Sequence, residues 1–186
     1  MVTAVYETTP ADNSTGLVNL IDDDGCRHVP VYGLPGYRFY LIHYTGLGSL
    51  VTSLSFSTSL LVYLIFLPKK AVWKRPIGER LVIYLASFDT MYSICHIMDH
   101  SYMLAVTGHP PDAACVYFGF NLNQFVLGQA LIVIFTSVNA FVMVVKERKI
   151  DLGKYDWKLI VYALGVPFFV GILGVSTGHF GPAGMW

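Results

Sequence analysis

The chain has 186 residues, with 12 Lys plus Arg against 12 Asp plus Glu for a net charge of zero. Hydrophobic residues make up 54% of it and charged ones only 13%, and the mean hydropathy is +0.55. A soluble domain of this size would have too little polar surface, so composition points to an integral membrane protein, and the charge balance argues against nucleic acid as a partner.

Residues 1–38 read as a polar tail rich in Thr, Asp, Asn, Gly and Pro. The tail carries an acidic run at Asp22, Asp23 and Asp24, a cysteine at Cys26 and the glycosylation sequon Asn13-Ser14-Thr15. Met1 to Pro10 lacks the basic start and apolar core of a cleavable signal, so the first helix is expected to act as its own anchor. The remainder, 39–186, reads as a helical membrane domain. Four segments, about 41–67, 81–105, 113–145 and 157–178, each approach or exceed the roughly 20 apolar residues that span a bilayer. The third window is uncharged over so long a run that it predicts a tilted helix projecting past the membrane. Period-2 alternation is absent, which excludes a β-barrel, and connections this short predict antiparallel neighbours.

Charge placement sets the expected orientation. Ten of the twelve Lys and Arg residues fall in two stretches, Pro68 to Arg80 and Lys146 to Lys158, whereas Ala105 to Ala114 and His179 to Trp186 contain none. Basic loops stay on the cytoplasmic side, so a multi-pass protein of four crossings with an outer N-terminus follows. No internal repeat is visible, so an inverted-repeat transporter gains no support.

Ionisable groups inside spans are costly and mark sites of interest. Asp89 lies about 12 Å into the second helix, too deep to reach the surface. His96 and His100 fall within about 20° of the Asp89 direction and Asp99 about 80° away, so the second helix presents a titratable stripe. The His96/His100 spacing with Asp99 would suit a metal ion, yet three residues on one helix do not define a site, and neither a metal nor a cofactor is expected. The third helix carries Asn121, Asn123, Gln124 and Gln129 in its outer half and Asn139 near its inner end. Asn121 and Asn139 are five turns apart on one face, which is expected to point inward. The fourth helix should kink at Pro167, and Gly174-xxx-Gly178 allows close helix approach or a dimer contact. Cys95 reads as a buried apolar residue, while Cys115, at the outer mouth of the third helix, is expected in a disulfide with Cys26 or with a cysteine beyond Trp186. No nucleophile with its base, HExxH pair or phosphate loop is present, so no enzyme is expected.

An outer N-terminus with a sequon, a short basic first inner loop and a cysteine opening the third helix together resemble the first four helices of a seven-helix G-protein-coupled receptor. Leu85-Ala86-Ser87-Phe88-Asp89 matches the L-x-x-x-D of the second helix in rhodopsin-like receptors. The chain departs from them in having Asn139-Ala140-Phe141 where they carry D-R-Y, and Ser53, Ser55 and Ser57 in place of the first helix's G-N pair. The run Leu81-Val82-Ile83-Tyr84-Leu85, the Tyr155-Asp156-Trp157-Lys158 start of the fourth helix and Gly181-Pro182-Ala183-Gly184-Met185-Trp186 look closer to the cyclic-AMP-receptor-like group. That resemblance covers roughly Gly46 to Trp186 and implies that the chain is the N-terminal part of a receptor at the plasma membrane. In that group a cysteine follows the Gly-Pro-x-Gly-x-Trp run and pairs with the counterpart of Cys115. The resemblance implies Asp89 and Asn139 in a switching network, and His96, Asp99, His100, Asn121 and Gln124 in a pocket for an unidentified outer ligand. It further implies Lys146, Glu147, Arg148 and Lys149 facing a heterotrimeric G protein. Two alternatives are a transporter or channel subunit with an Asp/His path, and a four-helix membrane scaffold.

Overall fold

The structure, a computed structural model, describes residues 36–66, 71–108, 110–148 and 150–180. The sequon at Asn13, Cys26, Lys149 and the closing Gly181 to Trp186 run lie outside the described residues. Every regular element among the described residues is helical: α1 (Tyr37–Phe66), α2 (Ile77–Val106), α3 (Asp112–Lys146) and α4 (Lys154–Ser176). At about 1.5 Å per residue they measure roughly 45, 45, 52 and 34 Å, so each is long and apolar enough to cross about 30 Å of hydrocarbon.

The helix ends follow from local chemistry. Prolines stand immediately before α2 and α3, at Pro76 and Pro111, where a missing N–H costs nothing, and the Pro111 carbonyl accepts from Ala114 and Cys115 at 2.8 and 2.9 Å. Glu79 and Asp112 lie in first turns and Lys146 in a last turn, each complementing the helix dipole. Thr107 and Glu147 end α2 and α3 in the left-handed conformation. At the end of α1 the Arg75 guanidinium donates to the Leu64 carbonyl, which satisfies one of the orphan acceptors there. α1 and α2 begin four residues earlier than the sequence predicts. Charge at Arg38, Glu79 and Arg80 ended the apolar windows, but a charge does not end a helix; Pro76 does.

The helices pack in chain order, α1 on α2, α2 on α3 and α3 on α4. Cross-contacts run antiparallel: His43 meets His100 while Ser53 meets Asp89, and Gln124 meets Leu164 while Phe120 meets Phe168. The burial pattern is that of a protein in lipid. Phe56, Val144 and Phe169 are at least 70% exposed, while Ser93, His96, Asp99, His100, Gln124, Asn139 and Asp156 are buried. Exposed Tyr37, Tyr40 and Tyr44 at one end and Trp73, Tyr155 and Trp157 at the other match the aromatic belts of membrane interfaces. Hydroxyls that face the apolar phase return their protons to their own helix. Thr52, Ser55 and Ser59 donate to carbonyls four residues back at 2.6–2.8 Å, which explains how α1 tolerates so many of them.

α4 is irregular. It opens with a 3-10 turn, Lys154–Asp156, continues through Trp157–Ile160 and a π-turn, Val161–Gly165, and ends with Val166–Ser176. The expected break at Pro167 therefore takes the form of a wider turn just before it. The close approach expected at Gly174-xxx-Gly178 is not between helices. Gly174 makes room for the Phe180 ring and Gly171 for the Phe120 ring, while Gly178, at φ +67°, has open space around it beyond the helix end.

Candidate functional site: the polar seam of the first two helices

Asp89, Ser93, His96 and His100 recur at spacings of four, three and four residues, so they form one stripe along α2, and both ends of that stripe meet α1. At mid-helix, Ser53 donates to the Asp89 carboxylate at 3.0 Å, and one residue on, the Thr90 oxygen lies 3.1 Å from the Ser57 oxygen. Ser53 and Ser57 thus partner α2, while Ser55 between them bonds its own backbone. Asp89 is half-buried, as a carboxylate held by a hydroxyl inside the bundle should be.

Towards the α2–α3 connection, His43 of α1 and His100 of α2 approach with Nδ1 to Nδ1 at 2.6 Å, both buried. Two ring nitrogens at that distance hold one proton between them, one donating and the other accepting. The His96 ring packs edge-on to His100 with centroids 4.6 Å apart and stacks on Tyr92 at 5.3 Å, while Phe39 covers His43 at 4.3 Å. Asp99 is buried near them on α2. Between the carboxylate and imidazole groups, the Ser93 hydroxyl is fully buried and has no hydrogen-bond partner among the described residues. A buried hydroxyl in that position is where a bound water or a ligand polar group would be most favoured.

The expected five-residue pocket divides between two interfaces. His100 meets His43 of α1 and His96 packs on His100, Asp99 is buried on α2, and Gln124 of α3 donates to the Leu164 carbonyl of α4 at 3.0 Å. That carbonyl lies within the π-turn, where the regular ladder is interrupted, and Asn123 reaches the Pro167 carbonyl nearby at 3.4 Å. These amides act as glue between α3 and α4. Asn121 instead donates to Tyr117 of its own helix at 2.8 Å and is only half-buried, so it does not share the interior with Asn139. Asn139 is buried, with its amide 3.6 Å from the Met143 sulfur and its carbonyl oxygen without a partner among the described residues. Lys146, Glu147 and Arg148 are exposed at the end of α3. The Cys115 thiol is free and donates to the Pro110 carbonyl at 3.2 Å, and no disulfide forms among the described residues.

At the opposite end of the bundle a second polar group joins α2 to α4. Asp156, fully buried, accepts a hydrogen bond from Tyr84 at 2.9 Å and lies 3.2 Å from an Arg80 nitrogen. The arginine contact is not aligned as a hydrogen bond, so charge rather than a directed bond holds it. Tyr155 and Asp156 are both left-handed, at φ 61° and 58°, and Tyr155 packs edge-on against Trp73 of the α1–α2 connection at 5.3 Å. Two consecutive non-glycine residues in that region cost energy, which the buried contacts of Asp156 offset.

Sequence reading missed His43, Ser93 and the Arg80–Tyr84–Asp156 group. His43 had a usable signal. Once Ser53 is set opposite Asp89, an antiparallel register carries ten residues back along α1 to His43 and eleven on along α2 to His100. Ser93 sits four residues after Asp89 on the same stripe, and Arg80 and Tyr84 are likewise one helical turn apart. No family model, no curated protein and no solved structure matches the chain.

Proposed function

We propose that the chain forms the first four helices of a membrane receptor of the cyclic-AMP-receptor-like group, passing an extracellular signal to a heterotrimeric G protein at the plasma membrane. The observation that supports the reading best is the contact between Ser53 of α1 and Asp89, the carboxylate of the L-x-x-x-D run, near the middle of both helices. A carboxylate held by a single hydroxyl is an element that can exchange partners when the helices shift. In this reading the N-terminus is outside, Asn13 is glycosylated, Cys115 forms an outer disulfide, and Asp89 and Asn139 belong to the switching network. His96, Asp99 and His100 of α2 and Asn121 and Gln124 of α3 line an outer ligand site, and Lys146, Glu147, Arg148 and Lys149 face the G protein.

The test is co-purification of Gα subunits with the membrane-expressed gene product in nucleotide-depleted buffer. A complex released by a non-hydrolysable GTP analogue and weakened by Lys146→Glu with Arg148→Glu supports the reading; no complex with any Gα class overturns it. A second reading, a proton-conducting transporter or channel subunit, is favoured by the 2.6 Å His43–His100 contact. It predicts a proton flux in proteoliposomes that His43→Phe abolishes.

A further inference from the structure

A cavity of about 330 Å³ opens between α3 and α4 at the end of the bundle that carries the basic connections. Its walls are Ile134 and Val138 of α3 and Leu159 and Tyr162 of α4, and Ile150 and Leu152 close its floor. Ile134, Val138 and Tyr162 are all exposed, so the groove faces outward from the bundle, where lipid lies. An apolar space in that position does not hold water, because water there would lack polar partners. Its lining suits hydrocarbon instead.

The rim selects what carries that hydrocarbon. Lys158 lies at the rim, with its Nζ 2.8 Å from an Asp151 carboxylate oxygen, and both side chains are substantially exposed. An exposed pair of this kind is worth little and exchanges readily with another anion. The surrounding sequence is basic: Lys146, Arg148, Lys149, Lys154 and Lys158 stand against the acids Glu147, Asp151 and Asp156, of which Asp156 is buried against Arg80 and Tyr84.

We propose that this groove is a binding site for an anionic phospholipid, with one acyl chain along Ile134, Val138 and Tyr162 and the headgroup phosphate on Lys158 in place of Asp151. The site does not depend on the receptor reading. It differs from ordinary boundary lipid in having a single lysine whose intramolecular partner competes with the phosphate, so the two rim residues have opposite effects.

Native mass spectrometry of the purified full chain in detergent, titrated with phosphatidylserine or phosphatidylcholine, tests this. The chain should retain phosphatidylserine preferentially. Lys158→Gln should lower that preference about five-fold, the contribution of one basic residue near an anionic headgroup, and Asp151→Asn should raise it. Val138→Trp, which fills the groove, should reduce phosphatidylserine retention. Equal retention of the two lipids, a preference unchanged by Lys158→Gln or lowered by Asp151→Asn, or retention unaffected by Val138→Trp would each overturn the proposal. Lys158 and Asp151 are exposed, so their variants keep the test open even where Val138→Trp fails to fold.

Discussion

Replacing Asp156 tests whether the α2–α4 junction is held by charge. Opposite charges about 4 Å apart attract by about 4 kcal/mol at an effective dielectric of 20, much of it offset by removing a fully buried carboxylate from water. Taking away one partner of a buried pair costs about 3–5 kcal/mol; the Arg80 side chain keeps 17% of its surface exposed and can rehydrate in part, which places Asp156→Ala near about 3 kcal/mol. That is on the order of a hundredfold in the unfolding equilibrium. Asp156→Asn keeps a residue that tolerates the left-handed backbone and an acceptor for Tyr84, so it isolates the charge and should cost less, about 1–2 kcal/mol. Tyr84→Phe should cost about 1.5–3 kcal/mol, as a hydrogen bond to a charged acceptor does. The assay is thermal unfolding in detergent, followed by labelling of the Cys95 thiol, which is half-buried in the folded protein. Combining Arg80→Gln with Asp156→Asn should destabilise less than the sum of the two single changes, because each alone strands a charge. Additive losses would refute the charge argument and leave Asp156 as a backbone and packing residue.

Gly128→Ala would place a methyl group 2.2 Å from the Phe88 ring and 3.0 Å from the Ala163 carbonyl, at the point where α2, α3 and α4 meet. It should cost about 1–3 kcal/mol, and Phe88→Leu in the same chain should recover part of that loss in the same unfolding assay. His43→Phe should destabilise by about 1–3 kcal/mol because it strands a buried His100 nitrogen, whereas His43→Phe with His100→Phe should be closer to neutral; equal losses would rule out the shared proton. Asp151 lies outside the spans, and its hydrogen bonds to Lys158 and the Gly153 amide hold its carboxyl below the ordinary carboxylate range. A depressed carboxyl contributes stability above its unfolded value and loses it as the pH falls through the folded one. The Asp151–Lys158 pair should therefore stay intact from neutral pH into mild acid, and Lys158→Gln should raise the Asp151 titration midpoint seen by NMR.

The fold was legible because lipid imposes two demands that composition records directly: long apolar runs and grouped bases. Helix ends were less legible because charge and helix termination are separate effects, as Arg80 shows by sitting one turn inside α2 while pairing with Asp156 of α4. The α2 stripe was readable from spacing alone, since Asp89, His96 and His100 share a direction whatever they touch. Their partners were not, because a side chain across a helix interface is set by register between helices, which periodicity within one helix does not contain. Asn121 shows the converse. Spacing put it on the Asn139 face, yet its amide finds the Tyr117 carbonyl four residues back, a local option open to an asparagine inside a helix.

The two polar groups that join helices differ in what they permit. The α1–α2 seam is built from single contacts, one hydroxyl on one carboxylate, one hydroxyl on another hydroxyl and one proton between two imidazoles, with a buried Ser93 hydroxyl between them that has no partner among the described residues. Each of those contacts can be exchanged for water or a ligand group at modest cost, so the seam can slide or open. The α2–α4 junction instead combines a buried carboxylate, an arginine, a tyrosine and two left-handed residues, so releasing it would strand a charge. Under the proposed receptor function, movement in response to a ligand is therefore easiest along α1 against α2, with α4 held to α2 as the fixed side. Cross-linking cysteines introduced at positions 53 and 89 should suppress any ligand response, whereas a cross-link between positions 84 and 156 should leave it intact; the reverse pattern would place the moving element in α4.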